Sequence, residues 1–91
     1  MPLARLQLRE ATAWWAANRP LAPDALNVAV RQALDLIAGQ PGIGRLASDV
    51  HREGVRRYPV RRVKYYIYYR VTEVRIEVLA FWHASRGSPP I

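Results

Sequence analysis

The sequence predicts an α+β fold in which an N-terminal helical hairpin packs on a three-stranded antiparallel sheet. The prediction rests on three features of the chain. Apolar residues recur at helical spacing over roughly the first forty positions and then alternate with period two from Val55 onward. Glycine and proline punctuate the change, at Gly39, Pro41, Gly42, Gly44 and Gly54. A length of 91 residues with no cysteine suits one modest core held by packing alone, so residues 1–91 read as a single domain.

The first helix is expected over residues 3–18. Leu3, Leu6, Ala11, Trp14 and Trp15 recur at its spacing, and Asn18, Arg19 and Pro20 end it. Trp14 and Trp15 are neighbours on a helix and cannot face the same way, so one is assigned to the core and the other to a partner surface. A second helix starts after Pro23, with Asp24 near the positive end of its dipole. Its stripe is Leu26, Val30, Ala33, Leu34 and Ile37, and Gly39 and Pro41 stop it. From Gly42 to Gly54 the chain reads as a connecting loop that touches the core only through Ile43, Leu46 and Val50. Three β-branched and aromatic runs follow, Val55–Val60, Val63–Val71 and Val74–Trp82, with a tight turn at Thr72 and Glu73. Alternation puts Tyr65, Ile67 and Tyr69 on one face and Lys64, Tyr66, Tyr68 and Arg70 on the other. The same rule groups Ile76, Val78, Ala80 and Trp82 under the helices, opposite Arg75, Glu77, Leu79, Phe81 and His83. The basic face is then the uncovered one, and Gly87 to Pro90 form a loose tail.

Charge is uneven. The formal net charge is +7. Residues 1–44 hold four arginines against three acids, whereas residues 45–91 hold ten basic residues against four. Arg52, Arg56, Arg57, Arg61, Arg62 and Lys64 crowd one short run that leads straight into the tyrosine-rich strand. Such a field suits nucleic acid, an acidic protein or an anionic surface. No window supplies the roughly 18 apolar residues of a membrane span. No Cys/His cluster has metal-ligand spacing, Gly42-Ile43-Gly44-Arg45 lacks the lysine and hydroxyl of a phosphate loop, and Glu53, Glu73 and Glu77 are scattered. No metal, cofactor or paired-carboxylate chemistry is expected, and the absence of cysteine suits a reducing cytoplasm.

The order of the segments is informative: AWWAANRPLAP, then Gln40-Pro41-Gly42-Ile43-Gly44-Arg45, Gly54-Val55-Arg56-Arg57, Tyr65-Tyr66-Ile67-Tyr68-Tyr69-Arg70-Val71, and Trp82-His83-Ala84-Ser85-Arg86-Gly87. Together they resemble the bacterial RelE/ParE toxin superfamily, and the ParE branch more than the RelE branch. The resemblance implies a cytoplasmic toxin of a type II toxin–antitoxin system that forms a hetero-oligomer with a cognate antitoxin and poisons DNA gyrase. A RelE-like alternative is mRNA cleavage on the ribosome, and a second is a noncatalytic basic nucleic-acid-binding module. Family members usually open with a short strand before the first helix. Here Met1 and Pro2 lead directly into helical sequence, so one sheet edge is expected to be open to another chain.

On this reading the antitoxin- or target-binding residues are Trp14, Arg56, Arg57, Arg61, Arg62, Tyr66, Tyr68 and Arg86. Arg56 is the foremost of them, a cation at the strand opening that can dock an acidic segment. No catalytic residue is assigned for the gyrase reading. RNA cleavage would need a base, a phosphate-binding cation and an acid at one place, and His83, Arg86, Arg56 and Lys64 are the candidates, with Tyr66 or Tyr68 stacking on bases. The bland alternatives are a strand-end histidine bonded to backbone and arginines that solvate an exposed face.

Overall fold

The computed structural model describes residues 2–18 and 24–91. Its elements are α1 (Pro2–Asn18), α2 (Ala25–Gly39), a 3₁₀ turn (Pro41–Ile43), β1 (Arg45–Leu46), β2 (Val55–Val60), β3 (Tyr65–Val71) and β4 (Ile76–His83). The expected helix–helix connection through residues 19–23, with Pro23 before the second helix, lies outside the described residues. Asp24 occupies the N-cap of α2, where its carbonyl accepts the Val28 N–H at 3.0 Å, but its side chain makes no capping bond.

The sheet has four strands rather than three, in the order β1-β2-β3-β4 with every neighbour antiparallel. The added strand is two residues long: Arg45 pairs with Arg57 and Leu46 with Arg56. The Ala47 N–H then donates to the Val55 carbonyl at 2.8 Å and closes the connection. Of the connector residues expected to touch the core, Val50 does, whereas Ile43 and Leu46 are exposed. Val63 belongs to the 61–64 turn and not to a strand, although it is buried. The last turn is wider than Thr72–Glu73, because the Thr72 N–H donates to the Arg75 carbonyl at 2.8 Å.

One face of the sheet meets the helices. Ala11 of α1 and Leu26, Ala29, Val30, Ala33 and Ile37 of α2 pack on Val60, Ile67, Tyr69 and Phe81. Ala29 takes the place expected for Leu34, which is exposed. A smaller cluster fills the other face, where Val55, Tyr68, Leu79 and Ala80 are covered by Ala47, Val50 and Ile91. That face is therefore not open. The C-terminal tail is not loose either: Pro89 is buried, the His51 N–H donates to the Ile91 carbonyl at 3.2 Å, and Trp82 Nε1 donates to the Gly87 carbonyl at 3.0 Å.

β4 departs from simple alternation. Tyr69 pairs with Val78 and Tyr68 with Ala80, so Leu79 is an extra residue that resets the phase. Ile76 and Val78 face the helices as expected. Beyond the bulge, Phe81 does so, while Leu79, Ala80 and Trp82 join the second cluster. The expected grouping of Ala80 and Trp82 under the helices is thus reversed.

β4 is an outer strand of the sheet, and the Phe81 N–H donates to Gln7 Oε1 of α1 at 2.7 Å, which occupies one of its outward groups. Lys64 closes the 61–64 turn at φ 61°, a left-handed conformation that costs a lysine about 1 kcal/mol. Its carbonyl accepts the Ala84 N–H at 2.9 Å and ties the turn to the end of β4.

Tyr69 holds the end of α2 to the sheet. Its buried hydroxyl donates to the Pro41 carbonyl at 2.7 Å and accepts the Gly44 N–H at 2.8 Å. Gly44 has no room for a side chain: a Cβ there would stand 2.7 Å from the Tyr69 hydroxyl and 3.1 Å from the Arg57 carbonyl. Tyr69→Phe strands the buried Gly44 N–H and the part-buried Pro41 carbonyl, and Gly44→Ala forces the ring aside. Each is expected to cost about 1–3 kcal/mol, read as a drop of several degrees in Tm. The double variant should lose less than the sum, since both disrupt one contact.

Candidate functional site

Strand geometry divides the residues singled out from the sequence. Arg57 pairs with Tyr68 and Arg56 with Tyr69, so the two arginines project from opposite faces. Arg57, Tyr66 and Tyr68 gather on the face away from the helices. There the Arg57 guanidinium stacks 4.5 Å from the Tyr66 ring centre and lies 3.6 Å from Asp49. The Tyr68 hydroxyl donates to the same carboxylate at 2.8 Å. Tyr68 is fully buried, so it has no ring face to offer a base, contrary to the stacking role considered for it. Arg70 closes this face by pairing with Glu77 at 2.7 Å, a hydrogen bond that, helped by Arg70 and Arg75 charge, lowers the Glu77 pKa.

Arg56 lies on the helix side of β2 and is committed internally. Its Nη1 donates to the Gly44 carbonyl at 2.7 Å and reaches the Gly42 carbonyl at 3.4 Å. It braces the turn that Tyr69 staples. It is also four strand positions from the Tyr65–His83 pair, roughly 13 Å along the strands.

A different set converges at the far end of the sheet. Trp14, Lys64, His83 and Arg86 line one cavity of about 600 Å³ between α1 and the β3–β4 end, together with Gln7, Glu10, Tyr65 and Phe81. Tyr65 stacks parallel on Phe81 at 4.4 Å and meets the His83 ring edge-on at 5.0 Å. Burial raises the Tyr65 pKa, and the charge of nearby Arg86 works against that rise. Arg86 itself lies 4.4 Å over the Trp82 ring. His83 Nδ1 accepts the Ser85 backbone N–H at 3.1 Å, with Ser85 Oγ at 2.7 Å. A backbone N–H can only donate, so Nδ1 is the acceptor in this contact, an arrangement that suits the tautomer with hydrogen on Nε2.

On the other side of the same turn, a groove of about 800 Å³ runs between α2 and β2. Its floor includes Ala33, Leu36, Tyr58 and Val60, and its rim carries Arg45, Arg61 and Arg62. Leu36 is half exposed there. Among the described residues no carboxylate pairs with Arg45, Arg61, Arg62 or Lys64. Arg62, Lys64 and Tyr65 line both hollows, which therefore form one continuous surface. Sequence reasoning missed Gln7, Glu10 and Leu36 in this surface. The helical spacing of Gln7 and Glu10 could have grouped those two, whereas Leu36 depends on tertiary placement.

Among the described residues no group of three or more His, Cys, Asp or Glu could hold a metal ion, and no helix is long and apolar enough to cross a membrane. The family model described as the ParE toxin of type II toxin–antitoxin systems, parDE, matches residues 1–87. No curated protein matches the chain.

The second-face network carries a pH signature. Burial, and next the hydrogen bond to Asp49, push the Tyr68 phenol up to about 12 against the pull of Arg57. A raised acid contributes stability that is complete below its unfolded value near 10 and is lost as pH climbs toward 12. Absorbance titration should find Tyr68 ionising about two units above an exposed tyrosine. Tyr68→Phe should remove that step and flatten the loss of Tm between pH 10 and 12; an unchanged curve would mean another tyrosine is responsible.

Proposed function

Since the match over residues 1–87 makes this chain a member of the ParE toxin family, we propose that it arrests growth by binding and poisoning DNA gyrase in the bacterial cytoplasm. As a family member it is the toxin of a type II toxin–antitoxin system and has a cognate antitoxin as its partner. The choice of gyrase over mRNA is supported chiefly by the tautomer of His83. Cleaving RNA through its 2′-hydroxyl needs a base that can take a proton. The acceptor nitrogen of His83 is already engaged by Ser85, and the other carries hydrogen. A ring in that state donates a hydrogen bond and is not set to abstract a proton. Arg56 is spent on the Gly44 carbonyl and Tyr68 is fully buried, which leaves the nuclease constellation incomplete.

The groove along α2 is the place this reading gives to the antitoxin. An amphipathic acidic segment would set apolar side chains on Leu36, Tyr58 and Val60 and carboxylates against Arg45, Arg61 and Arg62. Trp14 and Arg86 would contact the target or a further stretch of the antitoxin.

The observation that favours a second reading, cleavage of mRNA on the ribosome, is that His83, Lys64 and Arg86 share one cavity. A gyrase supercoiling assay beside a cell-free translation assay separates the two. Purified protein should abolish supercoiling and leave transcripts intact; cut transcripts with normal gyrase would overturn the proposal. His83→Ala should change gyrase inhibition by less than about threefold, whereas a nuclease would lose about a hundredfold in rate. Charge reversal of Arg61 and Arg62 should weaken antitoxin binding at least tenfold at low salt and less at high salt. Retained affinity would move the antitoxin away from the α2 groove.

A further inference from the structure

We propose that the cavity between α1 and the β3–β4 end binds a guanine nucleoside monophosphate, whether free in solution or as the terminal residue of a nucleic-acid strand. Three kinds of group meet there, each suited to one part of that ligand.

The first is a set of hydrogen-bond donors. Lys64, Arg86 and His83 line the cavity around the Tyr65 ring. With Nδ1 of His83 occupied by Ser85, the Nε2–H is the donor left to a ligand. Two cations and a neutral N–H donor fit the oxygens of a phosphate, and no carboxylate pairs with Lys64 or Arg86 among the described residues. The left-handed backbone of Lys64 is strained for a lysine, which fits a residue held for its side chain.

The second is flat aromatic surface. Tyr65 is backed by Phe81, and Trp14 forms a half-exposed wall. A purine ring stacks on such surfaces with little regard to sequence. The 600 Å³ volume lies within the usual range for small-ligand sites.

The third is a pair of polar side chains one helical turn apart. Gln7 Oε1 is taken by the Phe81 N–H, so its amide NH₂ is the end left to donate. Glu10, three residues on along α1, offers a carboxylate acceptor in the same cavity. A donor beside an acceptor complements the guanine edge, where O6 accepts and N1–H and the exocyclic amine donate. The adenine edge presents the opposite order. Glu10 also disfavours bare polyanion binding, since its charge opposes an anion not positioned by the base.

Titration of the isotope-labelled full chain by NMR tests this. GMP should shift the Gln7 side-chain amide, the Trp14 indole and the His83 ring together, with half-saturation below about 1 mM. AMP should bind at least about tenfold more weakly, and inorganic phosphate should move His83 without the Gln7 amide. Arg86→Gln should weaken GMP about tenfold, and Glu10→Gln should abolish the preference over AMP while leaving the fold intact by circular dichroism. A tetraribonucleotide with 5′-phosphoguanosine separates the sources: equal affinity to GMP assigns the free nucleotide, tighter binding a strand end, and either supports the site. Identical responses to GMP and phosphate, equal affinity for AMP, or shifts confined to the α2 groove would each overturn the proposal.

Discussion

One extra residue in β4 organises both faces of this sheet. Without Leu79 as a bulge, Ala80 and Trp82 would continue the phase of Ile76 and Val78 beneath the helices, and Phe81 and His83 would point away. With it, Phe81 closes the main core and His83 arrives beside Tyr65 at the mouth of a cavity. Leu79 and Ala80, now on the same side, fill the floor of the second cluster under Tyr68. A bulge costs ladder hydrogen bonding locally. Here it converts one continuous apolar strand into two half-strands that serve different cores.

The two cores explain where charge remains available. Each face of the sheet is covered, one by the helices and the other by the 47–50 segment and the C-terminal residue. Cations on the covered faces are consumed internally: Arg57 on Asp49 and Tyr66, Arg70 on Glu77, Arg56 on the Gly42 and Gly44 carbonyls. Among the described cations at the sheet's end and its β1 margin, Arg45, Arg61, Arg62 and Lys64 keep no carboxylate partner. Binding to an acidic partner therefore falls to the β2–β3 turn and its two flanking hollows, and the broad basic face implied by composition does not exist as a surface.

Much of this was legible in the sequence. Both helices, three of the four strands and the split of Tyr65, Ile67 and Tyr69 from Tyr66 and Tyr68 follow from periodicity, because each segment is long enough to show it. β1 has only Arg45 and Leu46, too few to show a period. The bulge is silent because Val78, Leu79, Ala80 and Phe81 are all apolar, so either phase satisfies the pattern. The tail reads as loose from Gly87, Pro89 and Pro90, yet it is fixed by contacts with residues some forty positions earlier. Arg56 illustrates the remaining limit: charge and position in the chain single it out, but whether its guanidinium faces a partner or a carbonyl is decided by a turn whose Gly42 and Gly44 carbonyls lie 14 and 12 residues upstream.

The continuity of the two hollows ties neutralisation to target binding under the proposed reading. Arg62, Lys64 and Tyr65 wall both, so an acidic segment seated along α2 draws on the same cations that face the α1 cavity. Two ligands that share cations compete electrostatically even without overlapping, because the first to bind neutralises the field felt by the second. An antitoxin in the α2 groove would therefore weaken whatever anionic group the cavity receives. It need not cover His83, Arg86 or Trp14 to do so. The β2–β3 turn, held by the strained Lys64 backbone and its bond to Ala84, is the fixed point through which that antagonism passes.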